Sequence, residues 1–177
     1  MRKILDFAYK FAASLSALAI FTIALLMIGQ SFMREIGIST GPINEIVSWL
    51  CATAAFSGMA YAFKQGDFVR VGLLLERLDK RQRRYGEIAA LMIAVVACLY
   101  LAFWATSFTY ESLLFNDIAT GLLPMPLWIP QCAFVLGSWL FAIATIDECF
   151  IVFFGGEPSY VTAVRERHAR GDFSSDL

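Results

Sequence analysis

The chain has 177 residues, 59% of them hydrophobic, 15% aromatic and only 16% charged, with a mean hydropathy of +0.66. Soluble domains average roughly 45–50% apolar and about 25% charged residues, so these proportions exclude a soluble globular enzyme and point to a membrane protein of one domain. The formal net charge of −1 carries little by itself, because in a membrane the placement of charge matters more than its sum, and no nucleic-acid partner is expected.

Residues 11–33 carry no charge between Lys10 and Arg34. A helix needs about 17–25 apolar residues to cross the hydrocarbon layer, so this is the first span. Its basic start resembles a secretory signal, but the apolar run is longer than a signal core and no convincing small-residue cleavage site follows, so the segment is expected to be retained. The second span covers about 45–63, uncharged between Glu45 and Lys64. Within it Cys51, Ala54, Ala55, Gly58 and Ala62 recur at helical spacing as one small-residue face, of the kind that lets membrane helices approach closely.

In the connection that follows, VGLLLERLDKRQRR, the apolar residues Val71, Leu74, Leu75 and Leu78 fall at i, i+3, i+4 and i+7. That spacing predicts a short amphipathic helix at about 71–82, lying in the membrane interface with its basic residues near anionic headgroups. The third span covers about 87–110, with Ala90, Ala94, Ala97 and Ala105 as a looser small-residue stripe. Either stripe can close the protein's own four-helix core or dock a larger partner.

The segment LLPMPLWIPQ, residues 122–131, precedes the fourth span at about 127–149. Pro124 and Pro126 keep the chain extended, since proline also steers its predecessor away from helical geometry. Trp128 suits headgroup depth, as interfacial aromatics do. Pro130 then falls in the first helical turn, where backbone N–H groups lack intrahelical partners anyway, and Gln131 is placed to bond a neighbouring helix or loop. Residues 1–160 thus form a four-helix membrane domain, and 161–177 a charged tail. Helices are expected throughout, because the alternation of a barrel is absent and lipid satisfies no backbone group. Thirteen of the fourteen Lys and Arg residues lie in the N-terminal segment, the middle connection and the tail, leaving Arg34 alone on the other side. The positive-inside rule then predicts that both termini are cytoplasmic.

Catalytic readings find no residues. The single histidine, His168, lies in the charged tail and is expected to be solvated. Cys51, Cys98 and Cys132 fall within spans and Cys149 at the end of the fourth; the expected outer loops contain no cysteine and no Cys-x-x-Cys occurs, unlike a quinone-dependent thiol oxidase. The thiols read as small packing residues. No ionisable residue sits in the middle of a span, where an ion-coupled carrier would place one. Neither a catalytic residue, a metal ligand, a substrate site nor a cofactor is expected.

The four spans, the basic segment after the second and MPLWIPQCAFVLGSWL at 125–140 resemble the small membrane subunit of tripartite ATP-independent periplasmic (TRAP) transporters, the DctQ family. Arg34 at the end of the first span, NEIVSWL with Glu45, and SGMAYAFKQGDFVRVGLL at 57–74 extend the resemblance over roughly residues 5–155. The chain departs from many relatives in having Pro42-Ile43-Asn44 where a tryptophan precedes the acidic residue, and Asp67 where a histidine follows the basic one. The resemblance implies a bacterial inner-membrane protein partnered by a large many-span subunit, a periplasmic substrate-binding protein and membrane lipids. The large subunit would carry the sodium and substrate sites for uptake of an organic acid, and this chain would be a non-catalytic scaffold. Contacts to a partner are then expected at Arg34, Glu45, Gly58, Trp128, Pro130 and Gln131, and Arg34 and Glu45 could also pair with each other. The alternative is a small homo-oligomeric exporter acting alone.

Overall fold

The computed structural model describes residues 2–67 and 80–171. They form five helices: α1 Arg2–Glu35, α2 Gly41–Gln65, α3 Lys80–Leu114, α4 Trp128–Phe153 and α5 Ser159–Ala169. The first four contain segments long and apolar enough to cross a membrane, at Leu5–Glu35, Gly41–Gln65, Arg84–Leu114 and Trp128–Phe153. The amphipathic segment expected at about 71–82 lies outside the described residues except for 80–82, which belong to the first turn of α3. The first part of the stretch read as a charged tail, 161–169, continues α5, whose start is set by Pro158. His168 is half-buried there rather than solvated, because α5 folds back on α2.

Local sequence accounts for the helix ends. α2 begins with Pro42 in its first turn. It ends on Gly66 at φ +80°, with the Gly66 N–H on Phe63 O and the Asp67 N–H on Ala62 O, a Schellman closure that glycine adopts without Cβ strain. α4 begins at Trp128, so Pro130 is its third residue and removes no intrahelical bond. Before it, the loop folds into a short hairpin, with the Ala119 N–H on Met125 O and the Leu127 N–H on Asp117 O.

Successive spans run in opposite directions, so the chain has a terminal end and a loop end. The terminal end carries the start of α1, the end of α2, the start of α3 and the α4–α5 junction; the loop end carries residues 36–40 and 115–127. The principal contacts are α1 on α2, α2 on α4 and α4 on α3, with α5 against α2. The spans therefore stand in a row, α1–α2–α4–α3, and join around one core only near the terminal end, where Tyr9, Ala60, Phe63, Leu91, Ala144 and Val152 cluster.

Two small residues set the spacing of the row. A Cβ at Gly137 would lie 2.5 Å from the backbone carbonyl of Phe56, so α2 and α4 touch backbone to backbone there. One turn away, Phe56 and Phe134 pack edge to face at 4.2 Å. At Gly58 the neighbour is Ser16, whose hydroxyl donates to Ala54 O across the α1–α2 contact at 2.7 Å. On α3 the buried line is Leu91, Cys98, Ala102, Ala105 and Ser112, whereas Ala90 and Ala97 are exposed. Of the expected alanine stripe, Ala105 is thus buried and Ala94 half-buried, and cysteine, serine and leucine complete the packed face.

Candidate functional site

Each end of the row carries a polar assembly. At the loop end, Gln30 and Arg34 occupy successive turns of α1 and face Thr40 and Asn44 at the start of α2. The lower pair is joined, with Gln30 Nε2 donating to Asn44 Oδ1 at 3.0 Å. The upper pair is open. Arg34 and the buried Thr40 line a cleft of about 430 Å³, and Arg34 enters none of the ion pairs among the described residues.

Glu45, one position along α2 from Asn44, turns to the other side. Its carboxylate accepts the backbone N–H groups of Leu122 and Leu123. Gly121 makes this approach feasible, because any side chain there would collide with the carboxylate. Arg34 and Glu45, both drawn to the same end by sequence, therefore do not pair; Glu45 clasps the 115–127 loop over the start of α2. Trp128, Pro130 and Gln131 lie together at the start of α4, where Trp128 and Cys132 border an apolar groove shared with Thr106 and Tyr110 of α3. The Gln131 side-chain oxygen is buried and has no hydrogen-bond partner among the described residues. The expected bond to a neighbouring helix or loop is thus not made through that oxygen. Gly58 is apart from all of these, turned toward α1.

At the terminal end, Lys64 from the last turn of α2 reaches across to α4. Its ammonium lies 2.6 Å from Asp147 and 3.8 Å from Glu148, and 5.0 Å above the Tyr9 ring. Glu148 is fully buried, and its Oε2 accepts the Ser159 N–H at 2.8 Å, which fixes the start of α5. Arg167 closes α5 onto α2, paired with Asp67 at 2.7 Å and donating to the Gln65 carbonyl. Tyr160 rests on Phe63 between them. The position where relatives tend to carry histidine is thus occupied by an aspartate with its own arginine.

In the sequence Lys64 only bounds the second span, and Asp147 and Glu148 fall at the end of the fourth. The available signal was topological, since spans two and four end on the same side with opposite charges. Tyr9, Gln30 and Arg167 gave no comparable signal. Among the described residues no group of three His, Cys, Asp or Glu side chains is arranged to hold a metal ion, and the four cysteines are not disulfide-bonded. Both assemblies can brace helices and loops; neither aligns a nucleophile with a base.

A family model described as "Tripartite ATP-independent periplasmic transporters, DctQ component" matches residues 23–154, about three-quarters of the chain. The chain belongs to the DctQ family. A search of curated proteins gives no match. Membership and four apolar helices together make this DctQ protein a multi-pass membrane component of a transporter, a role that is not enzymatic. The matched region includes Arg34, Glu45, Gly58, Lys64, Trp128, Pro130, Gln131, Asp147 and Glu148, and excludes Tyr9 and α5.

Proposed function

We propose that this chain is the small permease subunit of a TRAP transporter, a non-catalytic scaffold that binds and stabilises a large many-span subunit in the bacterial inner membrane. The large subunit carries out sodium-driven uptake of an organic acid, delivered by a periplasmic substrate-binding protein. The observation that carries this reading is the open row of spans. Apolar side chains stay uncovered along it, and no charged residue lies within 11–33, 46–63, 88–110 or 118–146 to couple an ion or guide a solute. A bundle closed on itself would bury both faces of α2 and α4; a row offers a broad apolar side to a larger partner.

In this reading the terminal end is cytoplasmic, the segment at about 71–82 lies along the inner interface, and the membrane domain spans 1–160. Arg34, without an ion pair among the described residues, faces the periplasm beside an open cleft, where a partner's carboxylate complements it. Trp128, Pro130 and Gln131 present the start of α4 to the large subunit. Glu45 and Gly58 act indirectly, the first by holding the loop and the second by keeping α1 close to α2.

Reconstitution tests the reading. Liposomes holding this chain alone should show no uptake, while liposomes holding it with the large subunit, a sodium gradient and the loaded binding protein should accumulate the organic acid. Solute movement by this chain alone would favour the homo-oligomeric exporter and overturn the scaffold.

A further inference from the structure

The Arg34 cleft at the loop end gathers hydrogen-bond donors that lack acceptors. Thr40 is more than nine-tenths buried, yet its hydroxyl caps no N–H of α2 and enters no hydrogen bond among the described residues. Asn44 accepts from Gln30 through Oδ1 at 3.0 Å, which orients the amide and leaves its Nδ2 donors unengaged among the described residues. The N–H groups of Ser39, Thr40 and Gly41 enter none of the backbone hydrogen bonds of the connection. They stand at the start of a 25-residue helix, whose dipole favours negative charge there. Arg34 adds a positive charge, and among the described residues no acidic side chain lines the cleft. The complement of such a recess is an anion.

The rest of the loop end has the opposite sign. Glu35 follows Arg34 on α1, Glu45 lies in the first turns of α2, Glu111 near the end of α3 and Asp117 in the loop after it, so four acids spread along the row surround one cation. Glu35, Glu111 and Asp117 are exposed and enter none of the ion pairs among the described residues.

We infer that the loop end docks a protein whose facing surface is its electrostatic inverse, basic along the row with one Asp or Glu carboxylate seated between Arg34 and Thr40. This rests on the reading of the loop end as facing a partner, and adds what the partner presents. A free di- or tricarboxylate would bring its further charges against Glu35 and Glu45, so the cleft favours a carboxylate carried on an otherwise cationic surface. A single lipid headgroup supplies a phosphodiester but no cationic surface as long as the row. The lone arginine then fixes the register, because the partner's acid is repelled everywhere else along this end.

Fluorescence anisotropy of labelled peptides added to the full-length chain in phosphatidylcholine nanodiscs tests the assignment. The probes are a lysine–alanine peptide with one central glutamate, the same peptide with glutamine in its place, and a serine–alanine peptide with the same glutamate. The first should bind about fivefold more tightly than the second, the upper end for a solvent-exposed ion pair, and more tightly than the third. Arg34→Gln should abolish the preference for glutamate without weakening the glutamine peptide, and Thr40→Val should reduce that preference, with unchanged helicity by far-UV circular dichroism. Equal affinity for the glutamate and glutamine peptides overturns the inference, as does an undiminished preference in folded Arg34→Gln. Equal affinity for the first and third peptides overturns the basic surround. Loss of the preference in millimolar acetate would assign the cleft to a free carboxylate, and its loss when phosphatidylglycerol or phosphatidylethanolamine is added would assign it to a lipid phosphodiester; either overturns the protein assignment. The peptide comparisons use the unmodified chain and decide the matter even if the variants do not fold. A nanodisc exposes both ends, so failure here leaves the scaffold and its orientation standing, whereas solute movement by the chain alone would remove the scaffold without altering the peptide result.

Discussion

Lys64 is held by three neighbours of different kinds: the Asp147 carboxylate, the Glu148 carboxylate and the face of Tyr9. Its importance comes from Glu148, which has no exposed surface and whose Oε1 finds no hydrogen bond among the described residues. An ionised carboxylate in such a position depends on the nearby ammonium, because removing one partner of a buried pair leaves the other uncompensated. Replacing Lys64 by Met should therefore destabilise the protein by about 3–5 kcal/mol, the range typical of broken buried ion pairs. Adding Glu148→Gln should recover part of that loss, since the amide oxygen can still accept from the Ser159 N–H. Reversible unfolding in mixed micelles checks both, and a Lys64→Met variant as stable as the parent would show that Glu148 does not need its cation. Lys64, Asp147 and Glu148 stood in the sequence at the ends of the uncharged runs, whereas Tyr9 gave no signal. Their mutual pairing was not legible, because it links positions more than eighty residues apart and emerges only when the ends of α2 and α4 are brought to one side.

At the scale of helices, the α2–α4 crossing is the tightest joint. Gly137 faces the Phe56 backbone, which cannot rotate away as a side chain could. Gly137→Leu should push the two helices apart and cost at least the ~1–3 kcal/mol of ordinary overpacking, with a matching loss of thermal stability in detergent. An unchanged melting temperature would mean that the crossing has slack the geometry does not show. The helices themselves were largely legible: uncharged runs of sufficient length gave the four spans, and the prolines marked the start of α4 because proline's missing N–H is harmless only in a first turn. Of the small face of α2, Ala54 and Gly58 meet Ser16, because close approach selects for size, whereas Cys51 and Ala55 are exposed. On α3 the alanine stripe is divided: Ala105 is buried and Ala94 half-buried, Ala90 and Ala97 stay exposed, and Leu91 and Cys98 fill the packed face beside them. α5 was hidden because it is short and its second half is polar; Tyr160 and Arg167 both meet the end of α2, so its inner face is only partly apolar.

Across the whole molecule, charge is distributed by end rather than by face. One cation, Arg34, stands at the loop end with Glu35, Glu45, Glu111 and Asp117, while the remaining basic residues fall in the terminal segments and the middle connection. The proposed cytoplasmic position of the terminal end follows from this asymmetry, because loops rich in Lys and Arg are retained on the cytoplasmic side. Single cysteines test it. With Ser39, exposed at the loop end, and Ala169, exposed at the end of α5, each replaced by Cys, a membrane-impermeant maleimide should label Ser39→Cys in cells whose outer membrane alone is opened. Ala169→Cys should react only after the inner membrane is permeabilised, and the native cysteines of the parent chain provide the background. The reverse pattern would invert the orientation and place the Arg34 cleft in the cytoplasm, where a periplasmic partner could not reach it. Labelling at both sites before permeabilisation would mean an even number of crossings between them, whereas α2, α3 and α4 make three, so one of those helices would have to lie outside the bilayer.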